Sequence, residues 1–88
     1  MDYNRPMKAK NLKIIDHLGT MYATFDGTSV WKIDKVAFGI LKMCDGNRTL
    51  DDLINDISKM ALVNPEELKP VIEEMLKDFE SKKFIEWV

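Results

Sequence analysis

The chain has 88 residues, which is the size of one domain, and 45% of them are apolar, enough for one core. Thirteen Lys and Arg residues stand against fifteen Asp and Glu residues, so the chain lacks the basic excess typical of nucleic-acid binders. No apolar run approaches the roughly 20 residues that cross a bilayer, and the first ten residues lack the apolar stretch of a secretory signal. We therefore expect a cytoplasmic domain whose partners include no nucleic acid and no membrane.

The N-terminal part of the chain divides at about Lys10. Residues 1–9 mix charges with Pro6 and have no periodicity, which predicts a flexible arm. Residues 10–88 are predicted to form the folded domain. Its first element is a short strand over the alternating segment "NLKIID", ending near Gly19.

A β-hairpin is predicted next, over residues 20–34. Two runs of aromatic and β-branched residues are separated by Asp26 and Gly27, the pattern of a two-residue type I′ turn. Such a turn pairs Tyr22 with Trp31 and places both on one face of the ribbon.

Three helices follow the hairpin. Asp34 is a suitable N-cap for the first, which runs to about Met43, and Gly46 can adopt the left-handed conformation after it. Thr49 begins the second helix. The third carries the longest apolar stripe, between residues 68 and 79, and the chain closes with an apolar tail. The predicted fold class is therefore α+β: a three-stranded antiparallel sheet followed by a winged-helix-like unit of three helices (β-β-β-α-α-α).

The segment "CDGNRTLDDL" resembles a metal-binding loop, because Asp45, Asn47 and Thr49 place oxygen atoms at alternate positions. A calcium loop of the EF-hand type that starts at Asp45 needs Gly at its sixth position and Glu at its twelfth. Those positions hold Leu50 and Asp56. We therefore predict no metal site here, and interpret the segment as the end of one helix and the start of the next.

Catalysis is not predicted either. His17 is the single histidine, which excludes a multi-histidine metal site, and Cys44 is the single cysteine. Cys44 ends an amphipathic helix, where a buried, unreactive thiol is expected. The four glycines are isolated and form no phosphate-binding loop. We expect no enzyme and no cofactor.

The strand "SVWKI" is the most suggestive functional feature, since it follows a hairpin and can have a partner on one side only. An open strand edge is a template for another strand, and peptide-binding domains use it. Alternatively, Lys32 only protects the edge from aggregation. The residues alone leave both interpretations open.

The segment "VWKIDKVAFGILKMCDGNRTLDDLINDIS", followed by an acidic amphipathic helix, resembles the PqqD-like family. That family has an apolar residue and Asn at a strand end, a spaced Ala and Ile-Leu, and a "DG" with a following Thr. The corresponding residues here are Ile33, Asp34, Ala37, Ile40, Leu41, Asp45, Gly46 and Thr49. Asp34 stands where members often have Asn, and either residue can cap a helix.

The resemblance implies a RiPP recognition element, a non-enzymatic domain that binds the leader of a ribosomally made precursor peptide. It implies presentation of that peptide to a modifying enzyme, often a radical SAM protein. The leader would add as a strand beside the third strand, in a groove against the third helix. The implied peptide-binding residues are Ser29, Val30, Trp31, Lys32 and Ile33 on the strand, and Lys69, Ile72, Glu73, Leu76, Lys77 and Glu80 on the helix. The alternatives are a winged-helix transcriptional regulator and a protein-interaction or dimerisation domain.

Overall fold

The fold is of the α+β class, as predicted. The computed structural model describes residues 5–88. Within the described range, its elements are β1 (Pro6–Lys8), β2 (Lys13–His17), β3 (Thr20–Thr24), β4 (Val30–Ile33), α1 (Lys35–Met43), α2 (Leu50–Ala61), α3 (Pro65–Ser81) and β5 (Ile85–Trp87).

Strands β2, β3 and β4 form the predicted three-stranded antiparallel sheet, in that order. The connection between β2 and β3 is a two-residue turn, in which Leu18 and Gly19 have φ angles of 53° and 84°. Two successive positive φ values define a type I′ turn, whose twist suits adjoining antiparallel strands.

The predicted register of the β3–β4 hairpin is wrong. Ala23 pairs with Trp31, and Tyr22 pairs with Lys32. A shift of one residue moves a side chain to the other face of the sheet. Tyr22 and Trp31 therefore lie on opposite faces, and Trp31 shares the inner face with the fully buried Ala23.

The register differs because the hairpin loop has five residues, 25–29, and not two. The carboxylate of Asp26 accepts hydrogen bonds at 2.9 Å from the backbone N–H groups of Thr28 and Ser29. The Thr24 hydroxyl donates to the carbonyl of Ser29 at 2.7 Å and accepts from the N–H of Gly27 at 2.9 Å. Side chains thus close a longer loop around the Asp-Gly pair.

The prediction of a flexible arm fails for residues 6–8, which form β1. This strand pairs antiparallel with β5 and bonds to the segment after α1, where the Gly46 N–H donates to the Pro6 carbonyl at 3.0 Å. Ala9, which ends the predicted arm, is 3% exposed. Residues 1–4 of the predicted arm lie outside the described residues. Local pattern could not identify β1, because its partners are distant in the chain.

The helix starts confirm the sequence interpretation. The Asp34 carboxylate accepts the N–H of Ala37 at 2.7 Å and caps α1. Thr49 caps α2 in a reciprocal capping box with Asp52. The three helices and the sheet enclose one core, and no helix within residues 5–88 is long and apolar enough to span a membrane. The most buried large side chains of that core are Phe84, Leu41, Leu53, Ile72 and Leu76.

Candidate functional site

The outer edge of β4 is open within the described part of the chain, because β4 pairs only with β3. The Leu18–Gly19 turn determines which backbone groups face it. A two-residue hairpin turn is closed by a hydrogen-bonded pair, here His17 and Thr20. Hydrogen-bonded and non-hydrogen-bonded pairs alternate along an antiparallel ladder. Counting along β3, Met21 and Ala23 therefore bond toward β4.

These two residues of β3 pair with Ile33 and Trp31. Backbone groups of neighbouring strand residues point to opposite edges. The N–H and C=O groups of Val30 and Lys32 consequently point to the open edge of β4. They can form two steps of a ladder with an added strand.

An aromatic cluster joins β4 to the end of α3. The Trp31 and Phe84 rings are 5.2 Å apart at 83°, and Phe25 contacts Trp31 edge-on at 6.1 Å. Phe84 also lies 6.2 Å from Phe79, near the C-terminal end of α3. Phe84 thus fills the space between the strand and the helix. A ligand at this edge would contact the rim of an already packed cluster.

A cavity of about 460 Å³ lies beside this cluster. We call it the Trp31 cavity. It is lined by Ala9, Asn11, Phe25, Trp31, Lys82, Lys83 and Glu86. Its apolar wall is aromatic, and its charged groups are two ammonium groups and one carboxylate.

A second cavity, of about 350 Å³, lies between α2, α3 and β5. We call it the Trp87 cavity. Its floor is apolar and its rim carries two Lys and two Glu residues. It is lined by Leu50, Lys69, Glu73, Leu76, Lys77, Glu80 and Trp87.

Strand β5 separates the two cavities. Glu86 lines the first and Trp87 the second, as expected of adjacent residues whose side chains point to opposite faces of a strand. The Trp87 indole N–H donates to the Glu80 carboxylate and fastens β5 to α3. Five of the six predicted helix residues, all except Ile72, therefore line the Trp87 cavity, whereas Trp31 lines the other one.

The predicted contact residues differ in exposure. Ser29 lies in the loop before β4, and the exposed Val30 and Lys32 lie on the outer face of the sheet. Trp31 and Ile33 are half-buried on the inner face. The helix residues again divide into a buried and a more exposed set. Ile72 and Leu76 are 1% and 2% exposed, Glu73 is half-buried, and Lys69, Lys77 and Glu80 are exposed.

Of the seven residues that line the Trp31 cavity, sequence reasoning proposed only Trp31 as a contact. Phe25 directly follows β3, and Lys82 and Lys83 directly follow α3. The sequence carries one usable signal: two adjacent lysines, Lys82 and Lys83, precede the aromatic Phe84, and ammonium groups form strong hydrogen bonds with carboxylates. The missed residues are Ala9, Asn11, Phe25, Lys82, Lys83 and Glu86.

In the segment "CDGNRTLDDL", the side chains of Asp45 and Asp52 accept hydrogen bonds from the chain itself. The pKa of Asp45 is lowered, mainly because its carboxylate accepts the N–H of Asn47 at 2.9 Å. Arg48 pairs with the same carboxylate at 2.8 Å and with that of Asp56 at 3.2 Å. The pKa of Asp52 is lowered chiefly by the N–H of Thr49. These carboxylates therefore serve as turn and capping acceptors.

Cys44 behaves as predicted from its place in the amphipathic pattern. It is 3% exposed, and its thiol lies 3.3 Å from the Ile40 carbonyl. Burial raises the pKa of the thiol to about 12. At neutral pH the sulfur is thus protonated, and a thiol is a weak nucleophile. Between residues 5 and 88, no group of three or more His, Cys, Asp or Glu side chains is arranged to hold a metal ion.

Comparison with known families matches the chain to one of them. The family model described as "Coenzyme PQQ synthesis protein D (PqqD)" matches residues 14–85. The match covers β4, all three helices and every predicted contact residue, and it confirms the resemblance inferred from the sequence. No curated protein matches the chain, and no solved structure does.

Proposed function

Because the chain belongs to the PqqD family, we propose that it is a peptide-recognition domain that binds the leader of a ribosomally made precursor peptide along β4. In this proposal it is a non-enzymatic, cytoplasmic chaperone with a winged-helix-like architecture. It presents the peptide to a modifying enzyme of the radical SAM type.

The observation that carries this proposal is the open edge of β4. Val30 and Lys32 direct backbone donors and acceptors outward, and both residues are exposed. An added strand satisfies those groups with main-chain hydrogen bonds, while side-chain pockets provide selectivity. The Trp31 cavity lies at the inner face of the same strand. The backbone ladder and a pocket are therefore available to one ligand.

The α3 residues have a second role in the proposal. The Trp87 cavity has an apolar floor at Leu76 and a rim of alternating charges on one helix face, from Lys69 to Glu80. Mixed charges favour specificity over raw affinity. We propose that this face contacts the downstream part of the peptide or the enzyme that receives it.

The rival function, DNA binding by a winged-helix regulator, is disfavoured by the charge of α3. The helix carries six acidic residues between Glu66 and Glu80, against Lys69 and Lys77. Phosphate neutralisation supplies most non-specific affinity for DNA, and this helix would repel phosphates. Duplex binding at low salt, weakening steeply as salt rises, would favour the rival.

The test is an NMR titration with synthetic copies of any short peptides that are encoded next to this protein's gene. We expect amide shifts concentrated at Val30–Ile33, together with shifts on α3. Edge pairing should also protect the amides of Val30 and Lys32 from hydrogen exchange, because both become hydrogen-bonded.

Two results would contradict the proposal. Shifts confined to residues 45–52 would place binding at the helix corner, away from the sheet. Shifts concentrated on β2 would place the added strand at the opposite edge of the sheet, and not beside β4. The third alternative, dimerisation through an edge, predicts shifts that depend on protein concentration without added peptide.

A further inference from the structure

We propose that the Trp31 cavity selects leader peptides in which an acidic residue lies two positions from a large apolar residue. This inference rests on the proposed strand addition at β4 and specifies its substrate class. The apolar side chain would pack against Trp31 and Phe25. The carboxylate would bind the ammonium groups of Lys82 and Lys83.

The spacing of two follows from strand geometry. Trp31 lies on the inner face of β4, so an added strand presents to the cavity only the side chains on its own inner face. Those side chains occur at every second residue, about 6.6 Å apart. Neighbouring residues in the peptide point away from the cavity. An apolar residue and an acid can therefore enter side by side when one residue separates them, and not when they are neighbours in the peptide.

The charge around the cavity favours an anion, although the chain as a whole has a net charge of −2. The charged lining residues are two lysines, Lys82 and Lys83, and one glutamate, Glu86. Lys82 pairs with the exposed Asp78 at 3.0 Å, a solvated surface ion pair that contributes little and that a ligand carboxylate can replace. Lys83 makes no ion pair with any described residue, so its ammonium group is available to a ligand carboxylate.

A charge-selective pocket can fix the register of an added strand, which main-chain hydrogen bonds alone leave undefined. Main-chain hydrogen bonds are the same for every sequence, so a bound strand can slip by two residues at little cost. A lysine pair at one end of an aromatic wall penalises the slipped registers, because they place an apolar or neutral residue against the ammonium groups. The pocket would thus set which part of the precursor extends beyond the domain.

The test is selection of a displayed random-peptide library on the purified protein, followed by NMR titration of synthetic copies of the enriched peptides. We expect enrichment of Asp or Glu two positions from Phe, Trp, Leu or Ile, and not one position away. Replacing that Glu by Gln in an enriched peptide should weaken binding about fivefold, since the lysines are partly solvated. The difference should shrink as salt is added.

The double variant Lys82→Gln/Lys83→Gln should lose the preference for acid while retaining the preference for the apolar residue. The matched control is Lys13→Gln/Lys59→Gln, which removes the same charge from β2 and α2, outside the lining of the Trp31 cavity. Thermal melts of both variants establish that each is folded.

The outcomes separate the inference from the proposed function. Enriched peptides that shift β4 but show no acid preference would overturn the inference alone. An acid preference that survives in Lys82→Gln/Lys83→Gln would overturn it as well. If no enriched peptide shifts β4, both the proposed function and the inference fail.

Discussion

The corner between α1 and α2, residues 44–49, and the strand β4 are both short segments at the surface, but their hydrogen-bonding groups are used differently. At the corner, the carboxylates of Asp45 and Asp52 accept hydrogen bonds from backbone N–H groups. The Thr49 hydroxyl in turn accepts the backbone N–H of Asp52. At β4, Val30 and Lys32 point backbone groups away from the sheet. The corner is internally satisfied, whereas the strand has bonding capacity left for a partner.

This difference separates architecture from recognition. The oxygens of the corner accept bonds from backbone N–H groups and Arg48, so their spacing is explained by the turn and the helix cap. Unpaired backbone groups at an exposed edge are costly to bury and gain from a partner strand. The first segment should therefore govern stability, and the second should govern binding.

The largest effect is expected from Val30→Pro at the open edge. Proline removes the outward N–H and puts a ring where the added strand would lie, so peptide binding should weaken about thirtyfold, or ~2 kcal/mol. Stability should change little, because proline is tolerated at the first residue of an edge strand. Calorimetric titration with the peptide measures the affinity. Val30→Ala keeps the N–H and should bind within about threefold of the parent; equal losses in both variants would attribute the effect to the side chain.

Gly46→Ala should be the most damaging change at the corner. Gly46 has φ +80°, and an added Cβ would lie 3.2 Å from the Met7 sulfur. The left-handed conformation costs other residues ~1–2 kcal/mol, so urea unfolding should show a loss of about that size. Peptide affinity should be unchanged for the folded protein.

Gly39→Ala is the matched control for that substitution. Gly39 lies inside α1, where its new Cβ would meet nothing within 4 Å. Alanine is the better helix former there, and the variant should gain ~0.5–1 kcal/mol. A gain at Gly46, or a loss at Gly39, would contradict the backbone explanation.

Thr49→Ala should cost ~1 kcal/mol, because it removes the hydroxyl that accepts the N–H of Asp52. Thr49→Ser retains the acceptor and should restore most of the stability. Both variants should bind peptide as the parent does. A binding defect in Thr49→Ala alone would extend the functional surface to the corner.

The smallest expected effect is a loss of stability at low pH. The pKa of Asp52 lies below its ordinary value, so its carboxylate stabilises the fold above that value and loses this contribution as the pH falls through the folded pKa. The pKa values of Asp26 and Asp45 are lowered in the same way. Melting temperature should therefore fall on acidification below about pH 4. Asp52→Asn should show a shallower fall, and an unchanged profile would remove Asp52 as a contributor.

Local signals predicted those parts of the fold that are decided within a few residues. Asp34 and Thr49 cap their helices as expected, because a cap depends on a side chain and a backbone N–H three positions away. Gly46 adopts the expected positive φ. The open edge of β4 was also anticipated, since a strand at the end of a hairpin commonly lacks a second neighbour.

Other features could not be predicted, because they depend on competition between two turn conformations or on contacts between residues far apart in the chain. The Asp26-Gly27 pair suits a two-residue turn, but the Thr24 hydroxyl and the Asp26 carboxylate stabilise a longer loop, and this competition shifted the register. Strand β1 could not be predicted, because its partner β5 lies near the other end of the chain. The separation of Trp31 from the α3 residues has the same origin, since β5 lies between them.

The partition made by β5 has an optical consequence. The chain has two tryptophans, and each of them lines a different cavity. Trp31→Phe and Trp87→Phe would each leave one intrinsic fluorophore, reporting on a single compartment without any attached dye. A precursor peptide and a receiving enzyme could then be followed as two separate emission signals from one unlabelled protein, and the order of their arrival could be timed.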